Sequence, residues 1–103
     1  MRVLFDQGTP APLREHLPGC EVRTAFEMGW SRLKNGELLA MADHDFDVLV
    51  TTDQNLRYQQ NLTGRKTALL ILPTTSWPRL RSRVADIAAA LGGMKAGDYL
   101  ELP

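Results

Sequence analysis

Two aspartates stand where chemistry could happen. Asp6 ends the apolar run Val3-Leu4-Phe5, and Asp53 follows Val48-Leu49-Val50-Thr51-Thr52. Carboxylates that emerge side by side from neighbouring strands repel each other unless a proton or a cation lies between them. A divalent ion with a preference for oxygen ligands, Mg²⁺ or Mn²⁺, resolves that repulsion. Glu37, in the first turn of a helix read as starting at Asn35, could reach the same edge as a third ligand or water-positioning base. An ion held by a few carboxylates, with water in its open positions, can polarise a phosphodiester and activate a water for in-line attack. The sequence offers no nucleophile elbow, no phosphate-binding glycine loop and no zinc-spaced Cys or His pair. Taken singly, the acids have plainer readings: Asp53 as the cap of a following helix, Glu37 as a surface residue. Asp6 has no such capping duty, and the trio together favours a site.

The elements that must position these residues read as follows. Val3 to Phe5 is a buried strand, broken at Gln7-Gly8-Thr9-Pro10. Thr9 reads as a helix cap with Pro10 at the first helical position, and Leu13 and Leu17 lie on one face. Cys20 to Thr24 suits a second strand, Ala25 to Trp30 a short helix closed by Gly29, and Ser31 to Gly36 a loop. The helix from Asn35 carries Leu38, Leu39 and Ala42 on its apolar face. Residues 47–52 form an unbroken, largely β-branched run, which predicts a strand buried on both faces, as in a parallel sheet. Asn55 to Leu62 reads as a short helix and Thr67 to Leu72 as another buried strand. Trp77, Leu80, Val84, Ile87 and Leu91 keep the spacing of one long helix, capped by Ser76 and stopped by Gly92-Gly93. Residues 98–102 alternate as a last edge strand.

The order β-α-β-α-α-β-α-β-α-β predicts an α/β fold with a mostly parallel central sheet and helices on both faces. Right-handed crossovers make 2-1-3-4 the simplest strand order. The winding then reverses between the first and third strands, and ligands bind outside the carboxyl ends of strands at such a switch point. Asp6 ends the first strand and Asp53 follows the third.

With 103 residues and 44% hydrophobic content, the chain fits a single domain spanning 1–103. Twelve basic and twelve acidic residues exclude a protein that holds duplex DNA by charge alone, but leave room for a transient nucleic-acid substrate on a local patch. Between Gln54 and Ala85 there is no acid, whereas Arg57, Arg65, Lys66, Arg79, Arg81 and Arg83 are basic. Arg57, with Arg32 and Lys34 in the loop before Glu37, is the best candidate for phosphate contact; Arg79, Arg81 and Arg83 read equally well as a solvated helix face. Tyr58 could stack on a base, with core packing as the plainer reading. His16 and His44 read as exposed and without partners, and Asp43, Asp45 and Asp47 as a solvated turn at the amino end of the third strand. Cys20 alone permits no intrachain disulfide and reads as a buried free thiol. Nothing resembles a signal peptide or a membrane-spanning run, so a cytoplasmic protein is expected.

The opening Val3-Leu4-Phe5-Asp6-Gln7 followed by Pro10 resembles the strand-Asp-Glu-x-x-Pro start of a PIN-like family of small bacterial proteins. Gly29-Trp30 through Asn35-Gly36-Glu37-Leu38-Leu39 is similar to that family's loop, where an acidic pair opens a helix, and Leu49 through Leu56 resembles its strand-Thr-x-Asp-x-Asp-Phe signature. The resemblance runs from the N-terminus to about Leu72. It implies a three-layer PIN-like sandwich and a metal-dependent ribonuclease, related to the toxins of VapC-type toxin–antitoxin pairs. Asp6, Glu37 and Asp53 would then hold Mg²⁺ or Mn²⁺ with Asn55 as an auxiliary ligand, RNA would be the substrate, and an antitoxin and a second copy of the chain would be partners. Gln7 stands where the family often has Glu, Asn55 takes the fourth acidic position, and Asn35 and Gly36 stand where an acid is common. Fewer charges predict weaker metal binding and argue against a second ion. They also motivate a rival reading, a PIN-like fold kept as a protein-binding module without catalysis. A receiver-like domain with Asp53 as phosphoacceptor shares the strand order, but lacks an acidic pair after the first strand and a well-placed late lysine.

Overall fold

Short apolar runs covered on both faces become the three central strands here. A computed structural model describes residues 1–56 and 64–103. It contains strands β1 (Arg2–Phe5), β2 (Glu21–Thr24), β3 (Val48–Thr51), β4 (Ala68–Ile71) and β5 (Tyr99–Glu101). They form one sheet in the order β2-β1-β3-β4-β5 with every neighbouring pair parallel. The expected 2-1-3-4 order is therefore present, and β5 extends it as a parallel edge. All four residues of β3 and of β4 are buried, as their unbroken apolar character demands.

Alternate strand residues feed two separate apolar clusters. Val3, Phe5, Val48, Val50 and Leu70 pack with Leu13 and Leu17, and with Leu80, Ile87 and Leu91 from the C-terminal helices. Leu4, Leu49, Leu69 and Ile71 pack instead with Leu38, Leu39 and Ala42 of helix α1 (Asn35–Asp45) and with Phe46. Helix α1 starts at Asn35, as its sequence predicts. Cys20 is a half-buried free thiol at the margin of the first cluster.

Three expected elements differ. Ala11–His16 is a 3-10 helix, and Thr9 does not cap it; the cap is Pro10, with no side-chain hydrogen bond. Residues 25–29 are a run of turns rather than a helix, closed by Gly29 at φ 77°. The long C-terminal helix is two helices, α2 (Trp77–Arg81) and α3 (Val84–Gly93). Ser76 does cap the first, accepting from Arg79 N. The break follows from Ser82, whose hydroxyl takes the Arg79 carbonyl (2.8 Å), while Arg83 N–H bonds three residues back to Leu80 O (2.8 Å). His16 has a partner after all: its ring lies 5.4 Å from that of Trp77. The helix expected over Asn55 to Leu62, with Arg57 and Tyr58, lies largely outside the described residues, which include it only to Leu56. Among the described residues, no helix is long and apolar enough to cross a membrane.

Candidate functional site

The register of the sheet builds the site. Phe5 pairs with Val50, so the next row sets Asp6 beside Thr51 at the carboxyl ends of β1 and β3. Asp6 is only 6% exposed, and its carboxylate is gripped from two sides. Oδ1 accepts from Thr9 N (3.0 Å) and Thr9 Oγ1 (2.7 Å), and Oδ2 accepts from Thr51 Oγ1 (2.5 Å). Thr9 Oγ1 also lies 3.0 Å from the Val50 carbonyl. The hydroxyl has one proton, and its shorter contact is the one to the Asp6 carboxylate.

Thr51 links the two aspartates. Its hydroxyl donates to Asp6 and accepts from Asp53 N (3.0 Å). The Asp53 carboxylate then accepts from Asn55 N (2.9 Å) at Oδ1 and from Asn35 Nδ2 (3.0 Å) at Oδ2. Asn35 opens helix α1, so this bond ties the helix start to the end of β3. Asp6 and Asp53 line one open cavity of about 540 Å³, together with Gln7, Lys34, Asn35 and Thr52. Gly8 keeps the loop after Asp6 close against β3, because a Cβ there would run into Thr52 Oγ1. Gln7 donates from Nε2 to the Ser31 carbonyl and so fastens the opposite wall.

The other expected site residues are distributed differently. Glu37 does not line this cavity. Its Oε1 accepts from Lys34 N (3.1 Å), the return arm of a helix N-terminal box. Asn55 is exposed and meets Asp53 through its backbone N–H. Lys34 lines the cavity, and Arg32 is exposed outside its lining; neither makes an ion pair among the described residues. Arg57 lies outside the described residues. Sequence reasoning gave no site role to Thr9, Thr51 or Asn35. The signal for Thr51 was present, since a 2-1-3-4 sheet with Asp6 and Asp53 at adjacent ends sets a β3 residue beside Asp6.

Among the described residues, no three His, Cys, Asp or Glu side chains are grouped to hold a metal. The donor chemistry fits a smaller demand. Each carboxylate oxygen carries two lone pairs. Among the described residues, Asp6 Oδ1 is filled by two donors, whereas Asp6 Oδ2, Asp53 Oδ1 and Asp53 Oδ2 each accept one and keep one lone pair open. Two carboxylates with open oxygens suit one ion that retains most of its water, as Mg²⁺ does, and leave nothing for a second.

Family models, curated proteins and solved structures all return no match to this chain.

Proposed function

We propose that this protein is a Mg²⁺- or Mn²⁺-dependent endoribonuclease of PIN-like type, a cytoplasmic three-layer sandwich that uses a single ion. The observation that carries the reading is the convergence of Asp6 and Asp53 on one cavity at the switch point, each with an open carboxylate oxygen. Asp6 and Asp53 would hold the ion. When bound, it would supply Lewis-acid polarisation of a phosphodiester and a more acidic water. Thr9 and Thr51 fix the Asp6 carboxylate so that it need not reorganise during the reaction. Lys34, on the cavity wall, is set to take a phosphate oxygen. Glu37 acts by capping α1 rather than as a ligand, which narrows its expected role.

RNA as substrate, an antitoxin partner and a homodimer belong to this reading through the PIN-like resemblance of the Asp6, Glu37 and Asp53 segments. Asp6→Asn is the decisive variant. It should abolish Mn²⁺-stimulated cleavage of single-stranded RNA, and unchanged cleavage overturns the proposal.

A second reading, a PIN-like binding module without catalysis, is favoured by one observation. Glu37 is committed to its helix cap, so the cavity draws on two carboxylates only. That reading predicts no Mn²⁺ binding at millimolar concentration.

A further inference from the structure

A second cavity, of about 680 Å³, opens on the other side of the Asp6-Gln7-Gly8 segment. It shares those three residues, together with Ala25 and Ser31, with the first, so an extended ligand can pass from one to the other without leaving the surface. Its volume falls in the range of small-ligand sites, about 300–1,000 Å³. Thr9, Thr24, Ser31 and Thr75 bring polar groups to its lining, and Phe26 stands on it.

Phe26 is 79% exposed, against 43% for Met1 and Met41 and 40% for Leu100, the other large apolar residues at the surface among the described residues. A singly exposed apolar side chain is ordinary. This one differs because the backbone is built to keep it out. Ala25, just before it, is buried and its N–H bonds to Phe5 O (2.8 Å). Glu27, just after it, exchanges bonds with Thr24: Thr24 N donates to Oε1 (2.9 Å) and Glu27 N donates to Thr24 Oγ1 (3.1 Å). Arg14 then grips both Glu27 carboxylate oxygens, at 2.5 and 3.2 Å. Trp30 N closes the turn on Ala25 O (2.8 Å). These bonds fix the turn that presents Phe26 on the cavity.

We infer that Phe26 is a stacking platform for one unpaired base of a single-stranded RNA, seated in this second cavity with the strand running on toward the cavity of Asp6 and Asp53. The inference rests on the RNA-substrate reading above and names the form of substrate that reading requires. An exposed ring on a pinned turn beside a polar cavity suits a base, because stacking needs only a π-face and tolerates any base identity. Base pairing in a duplex would hide that face, so duplex RNA is excluded from the platform.

The test is fluorescence anisotropy with labelled hexauridylate in EDTA, where no cleavage interferes. Hexauridylate should bind more tightly than an abasic ribose-phosphate hexamer and than an RNA duplex. Phe26→Ala should weaken hexauridylate binding by roughly 5- to 150-fold, and Phe26→Trp should preserve it. Because Phe26 is exposed, Phe26→Ala should melt at the wild-type temperature. Glu27→Ala, which frees the turn, should lose part of the affinity while Phe26 remains. Equal binding by wild type and Phe26→Ala overturns the inference, as does equal binding of the abasic hexamer. Failure of the wild type to bind hexauridylate also overturns it, and leaves the exposed ring to a protein partner. Metal dependence is separate: a Phe26-dependent affinity in EDTA stands even if Mn²⁺ fails to bind, whereas the ribonuclease reading then falls.

Discussion

The two ends of the sheet both carry acids, and they use them in opposite ways. At the amino end, Asp43 Oδ1 accepts from Lys66 N (2.8 Å) and Thr67 N (3.0 Å), and Asp47 Oδ2 accepts from Arg2 N (2.7 Å). Parallel strands begin there, and their first N–H groups need acceptors. The carboxylates supply them and fasten β1 and β4 in register. At the carboxyl end, Asp6 and Asp53 also accept hydrogen bonds, but they face a cavity and keep open oxygens. The same residue type is a clasp at one edge and a candidate ligand at the other. What decides between them is whether the carboxylate oxygens face strand-starting amides or a cavity.

The contrast can be broken by substitution. The largest effect should come from Asp6→Ala, which strands the Thr51 hydroxyl inside the protein and removes both charge-assisted bonds from Thr9, whose N–H keeps only the residue 6 carbonyl (3.3 Å). Thr9 Oγ1 can turn to Val50 O, so the loss should be about 2–4 kcal/mol, read by urea denaturation. Asp6→Asn should fold better than Asp6→Ala, because an amide oxygen can keep the Thr9 contacts and its nitrogen can donate to the second lone pair of Thr51 Oγ1, although the Thr51 proton then loses its acceptor. It removes the charge while filling the same space, which is why it is the better test of metal binding.

At the amino end, Asp43→Ala should cost about 1–3 kcal/mol, because the Thr67 amide is left without its acceptor beside a buried residue. A melting temperature lower by at least about 4 °C would be the sign. Mn²⁺ affinity should not change. An equal loss of Mn²⁺ binding in Asp43→Ala would erase the distinction between the two edges.

Acid titration sharpens it further. Amide donors from Thr67, then Lys66, hold the Asp43 carboxyl below its usual 3.8, against the opposing push of burial. The Arg14 guanidinium, then the Thr24 amide, lowers Glu27 from 4.5 to about 2. Both groups are more acidic folded than unfolded, so their stabilisation is full above the unfolded values. It is lost as pH falls, between 4.5 and about 2 for Glu27 and below 3.8 for Asp43. Asp43→Asn should flatten the acid limb of the stability profile, and an unchanged limb would contradict the clasp.

Much of this was legible in the sequence. Apolar runs and turn residues gave the strands, handedness gave their order, and the order brought Asp6 and Asp53 to one place. Thr9 shows where local reasoning stops. A Thr-Pro pair before an apolar spacing looks like a helix cap, yet a buried carboxylate three residues earlier is a stronger acceptor for its hydroxyl than a 3-10 turn has need of its oxygen. Glu37, read from the sequence as a third ligand, is found accepting from the Lys34 amide, which lies within its own turn. The acidic run 43–47 looked solvated, since the amides it satisfies come from β1 and from the segment before β4, more than 20 residues away in sequence. The smallest predicted effect follows from Glu37: Glu37→Gln keeps the acceptor and should change Mn²⁺ affinity less than about twofold and stability within about 0.5 kcal/mol.

Calorimetric titration with Mn²⁺ tests the central claim most directly. The account predicts one ion per chain, with a dissociation constant on the order of 0.1–1 mM as in other weak carboxylate sites, and no binding to Asp6→Asn. Absence of binding to the wild type, or equal binding to Asp6→Asn, would contradict it.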